Sequence, residues 1–95
     1  MADAHFYRGN AHYNKRDYDR AISDYNETIK LNNSYALAYN NRGLSHYAKD
    51  RYDLALDDFN ATIKLAPDYV TAYAYRADIF SAKRDYDRAL ADYSE

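Results

Sequence analysis

The stretch ALAYNNRGLSHYAKDRYDLALDDFNATIKLAPDY, from Ala36 to Tyr69, decides the fold because a related copy of it comes first in the chain. When the chain is aligned with itself so that Ala2 lies opposite Ala36, the segment from Ala2 to Tyr35 matches this stretch without a gap. Half of the aligned pairs are identical. Residues 70–95 align with the beginning of the same stretch, with ten identities. Self-similarity at a fixed period indicates a repeat architecture, here with two complete units and about three quarters of a third.

Each unit contains two blocks in which apolar and small residues recur every three or four positions, which is the spacing of an amphipathic helix. With only two glycines and one proline, the chain also has too few turn residues for a β-rich fold. The spacing predicts helices over 3–15, 18–31, 36–49, 52–65 and 70–83, and a truncated sixth helix from 86 to the end. Residues able to cap these helices precede several of them: Asp17, Ser34, Asp68 and Asp85.

The composition excludes several classes of protein. Thirteen basic against fifteen acidic side chains give a net charge of −2, which does not favour nucleic acid as a partner. The absence of cysteine removes disulfides and thiolate chemistry. No apolar run is long enough to span a membrane, and the amino terminus lacks the pattern of an export signal. We expect a soluble chain without membrane insertion, and the cytoplasm is the favoured compartment.

The pattern of aromatic and small residues resembles the tetratricopeptide repeat family. The family's motif of an aromatic, a small residue, a second aromatic, Ala-x3-aromatic and a final proline is matched in the middle unit at Tyr39, Gly43, His46, Ala55, Phe59 and Pro67. The other units match it at His5, Gly9, His12, Ala21 and Tyr25, and at Tyr73, Ala77, Phe80, Ala89 and Tyr93. Departures include Asn33 in place of proline and arginine in place of leucine at Arg8, Arg42 and Arg76.

This resemblance implies an all-α fold, a right-handed solenoid of antiparallel helix pairs with five full helices and a truncated sixth. Residues 1–95 are expected to form one domain of about 2.75 units, namely repeat one at 2–35, repeat two at 36–69 and a partial repeat three at 70–95. The family also implies a concave groove, lined by the first helix of each unit, that holds another protein or a peptide.

An arginine on the first helix of each unit and an aspartate on the second recur at one constant separation. The pairs are Arg8 and Asp24, Arg42 and Asp58, and Arg76 and Asp92. A cross-helix or cross-unit ion pair would satisfy a partly buried guanidinium that replaces the usual leucine. The alternative is that both side chains face solvent and share their phase through duplication. We predict contact.

Catalysis, a metal site and a cofactor are not predicted. His12 and His46 share the repeat position of a packing aromatic, which favours a structural role for both. His5 and His12 could share a helical face, but no cysteine or suitably spaced carboxylates complete a metal site. No phosphate-binding loop or nucleophile motif is present. We therefore interpret the chain as a binding protein and not as an enzyme.

Helical geometry predicts which residues of the first helices face the groove. These are Phe6, Tyr7, Asn10, Tyr13 and Asn14 in unit one, Asn40, Asn41, Leu44 and Tyr47 in unit two, and Ala74, Tyr75 and Asp78 in unit three. Aromatic rings and amides suit the recognition of a peptide. The alternative is that they are ordinary solvated positions.

One branch of the family binds the acidic carboxyl terminus of chaperones. Asn10 and Asn41 match its asparagines, but its three basic positions are Phe6, Thr71 and Tyr75 here. With Asp3 and Asp78 close by, an acidic tail would be poorly held, so this ligand is not predicted.

The truncated last helix lacks a polar terminal unit, which repeat arrays usually need. We predict uncovered apolar surface at Ala89, Leu90 and Tyr93, and therefore either a longer parent chain or a homo-oligomer formed through that end. Self-assembly is the alternative to groove binding as the function.

Overall fold

The computed structural model describes residues 1–83, which form five α-helices. They are α1 (Ala2–Asn14), α2 (Tyr18–Leu31), α3 (Ala36–Ala48), α4 (Tyr52–Leu65) and α5 (Val70–Ala82). The predicted boundaries of these helices are confirmed to within one residue, whereas the predicted helix from 86 lies outside the described residues. No helix in residues 1–83 is long and apolar enough to cross a membrane.

The helices stack in chain order. α1 packs on α2 and α3 on α4 to form the two complete pairs, and α2–α3 and α4–α5 are the contacts between units. α1 also touches α3 directly, so the first helices of the two complete units lie side by side. The predicted all-α solenoid of helix pairs is confirmed.

Close approach of the two helices in each pair requires a residue without a side chain. A Cβ at Gly9 would lie 2.8 Å from Cε1 of Tyr25, and one at Gly43 would lie 2.9 Å from Cε1 of Phe59. Both rings are fully buried. The small residue and the opposing ring are therefore complementary parts of one contact, repeated in both units.

The helix starts agree only in part with the sequence prediction. Asp17 does cap α2, since its side chain accepts a hydrogen bond from the backbone N–H of Arg20 at 3.4 Å. Ser34 and Asp68 do not cap the next first helices, because each lies one residue too early. The N-cap positions are Tyr35 and Tyr69, and neither makes a side-chain capping bond.

The predicted ion pairs form in both complete units. The Arg8 guanidinium donates to both carboxylate oxygens of Asp24 at 2.7 to 3.1 Å, and Arg42 does the same to Asp58 at 2.7 to 3.2 Å. Asp24 and Asp58 are each only 4% exposed. These carboxylates therefore reach their charge partners inside the helix pair, which confirms the prediction of contact. The third predicted partner, Asp92, lies outside the described residues.

The two carboxylates differ in how their charge is balanced. Hydrogen bonding by Arg8 holds the pKa of Asp24 below its ordinary value. At Asp58, burial raises the pKa, and the bonds from Arg42 only partly offset that effect. Burial also lowers the pKa of His46, whose Nε2 lies 4.0 Å from Asp58 Oδ2. The middle unit thus buries its polar groups more deeply than the first.

Replacing Asp58 with alanine should lower the free energy of unfolding by about 3 kcal/mol, because it leaves the Arg42 guanidinium without its carboxylate at a largely buried site. Urea denaturation followed by circular dichroism measures the change. Asp57→Ala, at the exposed neighbouring position, is the matched control and should cost less than about 0.5 kcal/mol. Equal stability of the two variants would show that the ion pair contributes nothing.

The contribution of His46 to stability should fall as the pH is lowered from 7.5 to 5.5. The pKa of His46 is depressed in the folded chain, so unfolded chains bind the proton first, near the ordinary pKa of about 6.5. The stabilisation by the neutral ring is complete above that value and is lost as the pH falls below it. His46→Phe should reduce this slope in urea titrations at several pH values. An unchanged slope would assign the effect to other groups.

Candidate interaction groove

The groove face consists of the residues that α1, α3 and α5 present on their common side. Two of the predicted groove residues, Tyr7 and Asn14, are exposed, and Tyr7 has 66% of its surface accessible. Most of the others are partly buried, so that they form the floor of this face: Asn10, Tyr13, Asn41, Leu44, Tyr47, Ala74, Tyr75 and Asp78.

Two of the predicted groove residues are not accessible. Phe6 is 5% exposed and its ring packs 4.9 Å from that of Tyr35 and 6.0 Å from that of Tyr25. Asn40 is 1% exposed. Both occupy the same repeat position. The Phe6 ring turns into the core toward Tyr25 on α2 and Tyr35, and the same position of α3 is also buried.

A hydrogen-bond network joins the first two units beneath the groove face. The Tyr25 hydroxyl donates to Asn10 Oδ1 at 2.6 Å, and Asn41 Nδ2 donates to the same oxygen at 2.9 Å. Asn40 Nδ2 in turn donates to Asn41 Oδ1 at 3.2 Å. The amide oxygens of Asn10 and Asn41 are therefore already used within the protein. Burial raises the pKa of Tyr25, which keeps its hydroxyl a donor at any physiological pH.

The sequence contains a signal for this network that spacing alone does not reveal. Tyr25 in unit one faces Asn10, and the equivalent residues of unit two are Phe59 and Leu44. The unit that has a tyrosine hydroxyl in its core has an amide opposite it, and the unit that has phenylalanine there has an aliphatic side chain opposite. Because a buried hydroxyl without a partner is costly, this paired exchange between units identifies the contact.

Tyrosines form a continuous aromatic floor across units two and three. The rings of Tyr47 and Tyr75 meet edge to face with centroids 5.3 Å apart, and Tyr75 stacks on Phe59 at 5.6 Å. Burial raises the pKa values of Tyr13 and Tyr47, and the Tyr75 phenol adds to both shifts. The phenols of Tyr13 and Tyr47 therefore remain neutral hydrogen-bond donors.

Charge is distributed unevenly around the helices. Arg8 and Arg42 turn away from the groove face toward Asp24 and Asp58, and Arg76 donates to Asn60 on α4 at 3.0 Å. Among the predicted groove positions the one charged residue is the acidic Asp78, and a second acidic residue, Asp3, lies in the first turn of α1.

The acidic end of the groove face is tied to the residue that precedes α3. The Tyr35 hydroxyl donates to Asp3 Oδ1 at 2.8 Å, and burial with this bond raises the pKa of Tyr35 to about 12. The groove face therefore combines aromatic rings, amides and negative charge.

The opposite side of the stack has two clefts next to the ion pairs. One is lined by Arg8, His12, Arg20, Ser23 and Asp24, and the other includes Asn26, Arg42, His46 and Asp58. His5 Nδ1 and His12 Nε2 each lie 3.8 Å from an oxygen of Asp24, so these histidines belong to the surroundings of the ion pair. Within residues 1–83, no group of three histidine, cysteine or acidic side chains has a geometry that could hold a metal ion.

Comparison with solved structures finds close relatives of this fold. The chain superposes on MamA with a TM-score of 0.97 at 26% identity, covering 99% of this chain and 55% of MamA. It superposes on the second tetratricopeptide domain of Spaghetti (RPAP3), bound to the HSP90 peptide SRMEEVD, with a TM-score of 0.95 at 26% identity, covering 99% of this chain and 87% of that domain.

The domain of Arabidopsis OM64 gives a TM-score of 0.94 at 27% identity, covering 98% of this chain and 77% of that one. Compared with MamA, the chain spans only about half of the length of that protein. No curated protein sequence matches it significantly.

Family models described as tetratricopeptide repeat match residues 2–35 and residues 36–69. Together they cover more than half of the chain. The spacing of its aromatic and small residues, the helix pairs that these residues build and both matches lead to one conclusion: the chain belongs to the tetratricopeptide repeat family.

Proposed function

We propose that this chain is an interaction module that binds a neutral or basic segment of a partner protein, extended or helical, on its groove face. The observation that carries the proposal is the separation of charge. Arg8 and Arg42 are held on the far side of α1 and α3 by buried carboxylates, while rings, amides and acidic groups occupy the groove face. A peptide with lysine or arginine complements such a surface through ionic and cation–π contacts.

The relative bound to SRMEEVD supports peptide binding as the general activity, but this chain calls for a different ligand. Phe6 occupies the first of the three basic positions that the chaperone-binding branch uses. Its ring lies in the core and has no access to a ligand. The other two positions hold Thr71 and Tyr75. An acidic carboxyl terminus would therefore meet no cation at these places and would approach a surface that contains Asp3.

The groove offers both affinity and direction to a bound backbone. Partly buried tyrosines supply apolar area together with hydroxyls, and they lose little conformational entropy on binding. Asn10 and Asn41 are held by the Tyr25 network, so their remaining amide groups are fixed before a ligand arrives. Such preorganisation reduces the entropic cost of binding.

Self-assembly is the second proposed function. The predicted contact residues Ala89, Leu90 and Tyr93 lie outside the described residues. What supports assembly within the described residues is that Ala4 and Ala11 on α1 are exposed, whereas Ala38 and Ser45 at the same repeat positions of α3 are buried.

A selection from a random peptide library displayed on phage tests the groove directly. We expect enriched peptides to carry lysine or arginine beside apolar residues, and fluorescence polarisation to show at least about tenfold weaker binding when those basic residues become glutamate. The peptide SRMEEVD serves as the acidic probe and should bind no better than the glutamate forms. Preferential binding of SRMEEVD would contradict the proposed ligand class.

Tyr7→Ala should weaken binding of the selected peptides by about 1 to 2 kcal/mol with little change in stability, since this ring is 66% exposed and contributes mainly contact area. The matched control is Leu54→Ala. Leu54 is 50% exposed and lies on α4 in a cleft on the opposite side. If both variants bound equally well, the ligand would lie elsewhere.

A further inference from the structure

The larger cleft on the side opposite the groove, here called the interunit cleft, lies where α2, α3 and α4 meet. Its lining combines aliphatic, amide and charged side chains from both complete units, namely Ile22, Asn26, His46, Leu54, Asp57 and the Arg42–Asp58 ion pair. Its volume is about 360 Å³, which is within the range of sites that hold a ligand. The cleft is therefore formed by the contact between two complete units.

One carboxylate of the interunit cleft has no charge partner. Asp58 is bound by Arg42, but Asp57 makes no hydrogen bond or ion pair with any other described residue. Burial raises the pKa of Asp58, and the nearby charge of Asp57 adds to that rise. Burial also lowers the pKa of His46, so its ring is neutral at pH 7. With one arginine against two aspartates, the cleft has an excess of negative charge that a cation would balance.

The acidic and apolar parts of this cleft are specific to unit two. Leu54 is 50% exposed, although the same repeat position holds Arg20 in unit one and Arg88 in unit three. Asp57, one turn further along α4, stands where unit one has Ser23. The corresponding cleft of unit one is lined by its own arginine side chain, Arg20. Unit two instead combines an aliphatic group with a carboxylate at this place.

A buried polar atom also borders the interunit cleft. His46 is 9% exposed, and its Nδ1 has no hydrogen-bond partner among residues 1–83. Its Nε2 faces the Asp58 carboxylate at 4.0 Å, which favours the proton on Nε2 and leaves Nδ1 as an acceptor. Because unpaired buried groups are costly, this wall favours an occupant with hydrogen-bond donors over a purely apolar one.

We propose that the interunit cleft binds an arginine side chain presented by a partner protein. The aliphatic stem of that arginine packs against Ile22 and Leu54, and its guanidinium forms a two-bond pair with the Asp57 carboxylate. Arginine suits the cleft better than lysine, because its planar head offers five donors to the carboxylate and to the neutral acceptors beside it.

This site goes beyond peptide binding on the groove face, because the two surfaces lie on opposite sides of the stack. A chain that uses both surfaces holds two partner segments at once. The two sites can be tested separately, since Tyr7 belongs to the groove face and Leu54 to the interunit cleft.

A random peptide library displayed on phage, selected on the wild-type chain and depleted on Leu54→Arg, tests the cleft. The variant places an arginine where unit one has Arg20, three residues before Asp57, so that the carboxylate is paired within the helix. Depletion should remove groove-binding peptides and leave a set in which arginine recurs. In fluorescence polarisation, these peptides should bind the wild type at least about tenfold more tightly than they bind Leu54→Arg or Asp57→Asn.

The matched control is Asp68→Asn, which removes another exposed carboxylate, in the turn before α5. This variant and Tyr7→Ala should bind the depleted set like the wild type, whereas Leu54→Ala should weaken it. Citrulline in place of the recurring arginine should weaken binding about as much as Asp57→Asn does.

A depleted selection that yields no peptide would overturn the proposal, and so would peptides that bind Asp57→Asn at wild-type strength. Circular dichroism of Leu54→Arg and Asp57→Asn confirms that both variants are folded. Peptides that bind the wild type and Leu54→Arg equally report on the groove alone, so failure of one site is distinguished from failure of the other.

Discussion

The whole structure depends on the close approach of two helices where a glycine meets a buried ring. At Gly9 and Gly43, even a methyl group would come within 3 Å of the ring of Tyr25 or Phe59. The short distance between the paired helices lets Arg8 on α1 reach Asp24 on α2, and Arg42 on α3 reach Asp58 on α4. The ion pairs follow from the packing, and they in turn remove positive charge from the groove face. One steric constraint therefore sets both the fold and the polarity of its surfaces.

The balance between burial and charge changes along the stack. Asp24 has a lowered pKa and Asp58 a raised one, although both accept the same set of bonds from arginine. The difference follows from position, since the first unit is covered on one side and the second on both. Arg8 is accordingly more exposed than Arg42. A repeated sequence motif thus acquires different electrostatic properties from its place in the array.

The sequence predicts the fold almost completely, because a fixed repeat period and a helical spacing are properties of the chain itself. The groove is less predictable. Helical phase assigns Phe6 and Asn40 to the open face, yet packing in the folded stack buries both. How far one helix rotates toward its neighbour depends on packing between units, which no single helix encodes. The helices α3 and α5 begin where the spacing predicts, but their N-cap positions are Tyr35 and Tyr69, so Ser34 and Asp68 lie one residue too early to cap them.

Differences between the units carry the information about binding that the shared motif lacks. Tyr25 with Asn10 and Phe59 with Leu44 are alternative solutions to the same packing problem, but only the first leaves an amide near the groove. The amide cannot be removed without stranding a buried hydroxyl, so the core and the binding face constrain each other. In this chain the choice of ring inside a unit therefore decides whether a polar or an apolar group lies at the adjoining part of the groove face.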